Sequence, residues 1–237
     1  MTKQTALSII FNCANKYKTN LQGKNFLLVS KNCENKTSVI EVAFHEKQFL
    51  HLTGLILKPN KFNSSTDFFK CCINRRLSIN DFSFSSLGTT EMKLQILSQF
   101  MSFYKTAKMI ANYDNSKIKL VTEKLVGNTI ACMGFIRKGN YFIPNTLLKE
   151  DIRDVTYKPQ ERILAIFKKE MSEEKYFVAT YIAKGIDVNR LILSSEVAPF
   201  IDKMAFSKTA PTICNSSKCS APSRCQMDDS LELDEGL

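Results

Sequence analysis

The sequence predicts an α+β domain in which N-terminal helices pack on an antiparallel meander sheet of about four strands. Three observations carry this. Apolar residues recur at helical spacing through much of the first half of the 237 residues. After residue 117 the period shortens to strand-like runs, and most of the gaps between those runs are too short for the crossover helices of a parallel sheet. Hydrophobic residues make up 44% and charged residues 24%, a globular balance that excludes wholesale disorder.

Along residues 2–21, Ala6, Ile9, Ile10, Cys13, Ala14 and Tyr17 repeat on one helical face, and Gly23 follows as a stop. The short runs 26–30 and 38–44 flank the polar stretch 31–36, which predicts a hairpin. A helix is expected over 65–75, and Ser78 with Asp81 has the spacing of a capping box opening a short turn through Phe82. Thr89 or Thr90 then caps the longest helical pattern, 91–113. In it Leu94, Leu97, Met101 and Tyr104 form one apolar row, and Ile96, Phe100, Phe103, Ala107 and Ile110 another, the pattern of a well-buried helix.

Strands are expected at 117–125 and 130–137, divided by Val126-Gly127-Asn128, and Gly139-Asn140 turns the chain into Tyr141-Phe142-Ile143. A short helix is predicted over 146–154, and further strands over 162–168 and 175–184, joined by the polar 169–174. After Phe206 the chain becomes rich in Ser, Pro and Cys and then acidic. The expected organisation is one domain over 1–206 and a loosely ordered tail over 207–237.

The formal net charge is +10, and the five acids within 226–237 leave +15 on the rest of the chain. Such an excess favours a polyanionic partner, because neutralised phosphates release counterions; the plain alternative is that the lysines only keep the protein soluble. No stretch has the 18 or so apolar residues of a membrane helix, and 6–11 is too short for a signal-peptide core, so neither membrane insertion nor secretion by that route is expected. The eight cysteines are irregularly spaced and read as reduced thiols, with Cys13, Cys33 and Cys132 as small buried hydrophobes beside the adjacent pair Cys71 and Cys72. Cys214, Cys219 and Cys225 are too few and too unevenly spaced for a zinc site.

The two histidines, His45 and His51, fall within seven residues. An imidazole titrates at ~6.5 and so exchanges protons near neutrality. Six steps of helix would set the pair about 120° apart, so either the segment bends or only one of them belongs to a site. The ordinary role for His51 is a hydrogen-bonded residue in an apolar turn, although Thr53-Gly54 beside it offers a hydroxyl and a backbone able to approach a phosphate. With only Glu41 and Glu46 nearby, the set is too small for a metal; neither metal nor cofactor is expected.

Four runs carry a resemblance: 44–55 (FHEKQFLHLTGL), 119–128 (KLVTEKLVGN), 141–148 (YFIPNTLL) and 180–184 (TYIAK). They are similar to the fourth family of phage Barnase-EndoU-Colicin-RelE-like nucleases, over roughly residues 1–190. The resemblance implies helices packed on an antiparallel meander, metal-independent RNA cleavage, and service as a phage or mobile-element effector. Such cleavage needs a base for the ribose 2′-hydroxyl, an acid for the departing 5′-oxygen, and cations facing the phosphorane.

His51 is the first candidate for base or acid and His45 the second, with Thr53, Tyr181 and Thr180 as hydroxyl candidates. Lys124, Lys149, Arg153, Arg162 and Lys184 are the candidates for gripping nucleic acid. Each has a duller role: Lys124 as a solvated strand residue, Arg162 as the partner of Glu161 or Asp154, Tyr181 as filling for a sheet face, Asn128 and Asn145 as turn stabilisers. The expected activity is that of an endoribonuclease toxin forming 2′,3′-cyclic phosphate ends in the cytoplasm of a bacterial host cell. Its expected partners are RNA and a protein antitoxin or host defence protein. The alternative is a non-catalytic basic protein on the same scaffold that grips nucleic acid or inhibits a defence complex. A third possibility is that the acidic 228–235 covers the basic face.

Overall fold

The structure is a computed structural model that describes residues 1–202 apart from 117, 118, 192, 194 and 196. The boundary at 206, the tail and its three cysteines lie outside the described residues. The first helix, α1 (Lys3–Asn20), begins where the Thr2 hydroxyl accepts from the Thr5 amide, and it buries Ala6, Ile10, Cys13, Ala14 and Tyr17. β1 (Lys24–Lys31) and β2 (Thr37–Phe44) pair in unbroken register from Lys24 opposite Phe44 to Lys31 opposite Thr37. Next come α2 (Gln48–Thr53), β3 (Ile56–Leu57), α3 (Ser65–Ile73), β4 (Phe82–Ser83), α4 (Thr89–Phe100) and α5 (Phe103–Thr106). The second half supplies β5 (Met109–Asn112), β6 (Lys124–Gly127), β7 (Cys132–Lys138), β8 (Tyr141–Leu148), β9 (Glu161–Glu170) and β10 (Val178–Ile182).

Three sequence expectations change. The helix predicted over 91–113 stops at Phe100; Ser102 leaves helical space at φ −141°, and after one turn the chain enters β5. β5 is covered on both faces, Ile110 packing on the helix side and Met109 on the other, so it reads as apolar all round like a buried helix. The helix predicted over 146–154 is instead the end of β8 followed by a 3-10 turn at Ile152–Asp154. The strand expected over 117–125 begins only at Lys124.

The sheet is larger than the predicted four strands. Among the described residues eight strands join in the order β1-β2-β8-β7-β6-β5-β9-β10, while β3 and β4 pair separately. The pairing of β1 with β9 closes the first seven into a ring, with β10 added to the flank of β9. The first hairpin thus belongs to the same sheet as the later strands. Every pairing in the ring is antiparallel except β2 with β8, which meet in parallel at Val42 and Phe142. Irregular register at Val29/Ser30 and at Gly134/Phe135 bends the strands in the way a small closed sheet requires.

The inside of the ring divides into two halves. One is filled by rings, with Phe26 and Phe44 edge-to-face at 5.6 Å and Phe103 against both. Helices close that end: Tyr17 of α1 meets Phe44, Phe49 and Phe69 edge-to-face. Smaller apolar clusters lie outside the ring, around Val29 and Phe167 and around Leu125 and Cys132.

Cys13, Cys33, Cys71, Cys72 and Cys132 are free thiols. Burial pushes Cys13 up to about 11 and Cys132 up to about 12, so these thiols stay protonated and serve as packing. Cys33, expected to be buried, is instead exposed in the loop between β1 and β2. No described helix is long and apolar enough to cross a membrane.

Candidate active site

Among the described residues the end of the ring away from the helices is open, and there the inward rows of the strands change character. In β1 the row Phe26, Leu28 ends in Ser30, and in β2 Ser38 precedes Ile40 and Val42. Lys124 precedes Val126 in β6, Arg137 follows Met133 and Phe135 in β7, and Glu161 precedes Ile163 in β9. Strand alternation points all of them the same way as the core residues beside them. The polar ends collect at one mouth.

A pocket of about 270 Å³ there is walled by Ser38, Ile110, Lys124, Arg137, Phe142 and Glu161. A second pocket of about 350 Å³, toward Asn112 and Lys158, shares Lys124 and Glu161 as a common wall. The Glu161 carboxylate accepts from the Ser30 hydroxyl at 2.5 Å and from the Ser38 hydroxyl on the same oxygen. The Arg137 guanidinium lies 4.9 Å from the centre of the Phe142 ring. Among the described residues no ion pair joins Lys124 or Arg137 to an acid. Glu41, at the same pocket, is occupied by Tyr176, whose hydroxyl donates at 2.6 Å, and by Asn25. Glu161 is therefore a carboxylate fixed in place beside two cations that form no ion pair among the described residues.

The sequence candidates distribute as follows. Lys124 stands in the mouth. His45 lines a separate open groove of about 340 Å³ with Gln22, Glu46, Lys47 and Thr66, its ring 6.2 Å from that of Tyr141. Burial, then the charges of Lys47 and Lys138, hold its pKa below the ordinary imidazole value. His51 is exposed on α2, its backbone carbonyl accepting from Lys93 at 3.1 Å, and burial followed by the Lys93 charge lowers its pKa too. The Thr53 hydroxyl is buried, donates to the Leu50 carbonyl at 2.7 Å and accepts from the Leu55 amide. Thr180 donates to the Ile166 carbonyl, and the Lys108 ammonium sits 4.0 Å over the Tyr181 ring.

Among the cations, Lys149 donates to Gln95 at 2.9 Å and Arg153 grips Asp151 at 2.6 Å, while Arg162 and Lys184 are exposed. No hydrogen bond or ion pair among the described residues joins any two of His45, His51, Thr53, Thr180 and Tyr181. Sequence reasoning passed over Arg137, Ser30 and Ser38, and treated Glu161 only as a partner for Arg162. Neighbours on a strand face opposite ways, and the Glu161 carboxylate is committed to serines instead. The signal that would have found the mouth is the shared drift of several strands from apolar to polar at one end.

A curled, largely antiparallel sheet whose concavity holds a positioned carboxylate and cations left unpaired among the described residues is suited to a phosphodiester. The comparison with known families is more specific: the chain belongs to the phage-Barnase-EndoU-ColicinE5/D-RelE like nuclease4 family, matched over residues 9–185. That span runs from within α1 to just past β10 and includes every residue of the mouth. No curated protein and no solved structure matched the chain.

Proposed function

We propose that the chain is an endoribonuclease that works by metal-independent transphosphorylation in the mouth of the ring. The observation that supports this most is Glu161 standing with Lys124 and Arg137 around one concavity. In this reading the Glu161 carboxylate takes the proton of a ribose 2′-hydroxyl, and the 2′-oxygen attacks phosphorus. Lys124 and Arg137 face the charge that builds on the phosphorane, and the Lys124 ammonium protonates the departing 5′-oxygen. The products are a 2′,3′-cyclic phosphate and a free 5′-hydroxyl. A role as a phage or mobile-element toxin held by a protein antitoxin fits that chemistry and the basic body.

A second reading keeps His45 and His51 as the proton-transfer residues. It is favoured by surroundings that depress both imidazoles, which leaves them as neutral bases at pH 7.

Incubating the purified protein with RNA and EDTA tests both. The first reading expects cyclic-phosphate products and a loss of about 10²- to 10⁴-fold in Glu161→Gln, with His51→Ala near native. Loss in the histidine variants with Glu161→Gln active would move the chemistry to the imidazoles. A salt-sensitive complex without cleavage would leave only the non-catalytic binding protein.

A further inference from the structure

The β7–β8 hairpin has a polar cluster on its outer face that the mouth does not use. Lys138 pairs directly with Tyr141 across the hairpin, and the Tyr141 ring lies against His45. The Lys138 ammonium stands close enough to Lys47 to lower its pKa, and both charges act on the His45 ring as well. Among the described residues neither lysine is paired with an acid. Glu46, the acid in the adjoining groove, accepts the Gln22 amide at 2.8 Å. Two crowded ammonium groups beside a half-exposed aromatic ring have the make-up of a single-strand site, cations for a phosphate and a π-face for a base.

We infer that this outer face is a second RNA site, taking the single-stranded segment that leaves the mouth over the hairpin tip. Residues alternate across the hairpin: Arg137 and Phe142 face the mouth, and their neighbours Lys138 and Tyr141 face outward. The tip between them is Gly139-Asn140, and Asn140 itself lines the mouth. A strand crossing the tip passes from one site to the other within a step or two of backbone. Tyr141 stacks the base, with the His45 ring as its neighbour, and Lys47 and Lys138 share the phosphate. The inference rests on the ribonuclease reading only in taking RNA as the ligand.

The test uses the full chain and a fluorescent octanucleotide of 2′-O-methyl RNA, which lacks the attacking hydroxyl and so reports binding alone. Tyr141→Ala should weaken binding roughly 5- to 150-fold, the range for loss of one stacked base. Lys47→Gln with Lys138→Gln should lower the slope of log K against log salt by up to about 1.4, at about 0.7 for each single-strand contact. Cleavage of a dinucleotide, which spans the mouth alone, should keep its native rate in both variants. On cleavable octanucleotides they should raise KM and leave kcat unchanged.

Native binding of the octanucleotide by Tyr141→Ala and by the lysine pair overturns the outer site, whether or not RNA is cleaved. Weakened binding in these variants, in a protein that cleaves nothing, keeps the outer site and removes the ribonuclease reading instead. All three substitutions replace residues with exposed or half-exposed side chains, and circular dichroism confirms that each variant is folded.

Discussion

Glu161 and the two histidines show what a single residue type can and cannot announce. The histidines stand out because there are only two in 237 residues, yet rarity says nothing about position. Their environments do make a testable statement. Both imidazoles have folded-state values below the ordinary 6.5, so between the folded value and 6.5 the unfolded chain binds more protons. Stability therefore rises with pH through that window and is lost as pH falls through it. Urea midpoints should climb as pH approaches 6.5 from below, and His45→Asn with His51→Asn should flatten the climb. An unchanged slope in that double variant would place the proton uptake on other groups.

Lys124 was legible as a strand cation, although the run 117–125 sets it near the end of a strand and the structure sets it at the start of β6. Glu161 was misjudged because sequence adjacency to Arg162 suggests a pair that strand geometry forbids. Ser30 and Ser38 were invisible as site residues, since a serine at a strand end has many ordinary uses and only the meeting of β1, β2 and β9 gives these two a common carboxylate. Removing both hydroxyls with Ser30→Ala and Ser38→Ala frees that carboxylate to rotate. Cleavage by the double variant should show kcat falling about tenfold while KM stays native, as expected when only orientation is lost.

At the scale of elements, the sequence marks helices and hairpins that bury one face and hides those that bury two. α1, the β1–β2 hairpin, α3, the β7–β8 turn and β9 all follow from spacing and punctuation. β5 does not, because its apolar residues serve two cores at once and merge with the end of α4 into one long apparent helix. Closure of the ring depends on contacts no local pattern reports, such as the β-bulge at Gly134. A methyl group there would stand 2.6 Å from Thr146 Cγ2 and 2.9 Å from Thr122 Oγ1. Thr122 cannot retreat freely, since it is buried and its hydroxyl donates to Asn145. Gly134→Ala should therefore destabilise the fold by about 1–3 kcal/mol, read as a lower urea midpoint with an unchanged m-value. A native midpoint would mean that β7 and β8 can separate at no cost, and the bulge would then have no part in closing the ring.

For the molecule as a whole, charge and curvature act together. Among the described residues a ring sealed by helices at one end leaves a concave mouth at the other, and a net charge of +10 surrounds it with a field that draws phosphates from solution. The five acids Asp228, Asp229, Glu232, Asp234 and Glu235 oppose that field from the same chain. Acting through that field, they should weaken RNA binding most at low salt, where screening is least. Replacing all five by their amides raises the net charge to +15. At about 0.05 M salt the variant should bind the 2′-O-methyl octanucleotide roughly tenfold more tightly than native, and at about 1 M, where screening acts within ~3 Å, the two should converge. A gain that persists at high salt would instead point to acids seated directly on the cations of the mouth or the hairpin. In that case Lys124→Ala or Lys138→Ala, whichever cation is covered, should abolish the gain, because a displaced contact disappears with its partner whereas a weakened field does not.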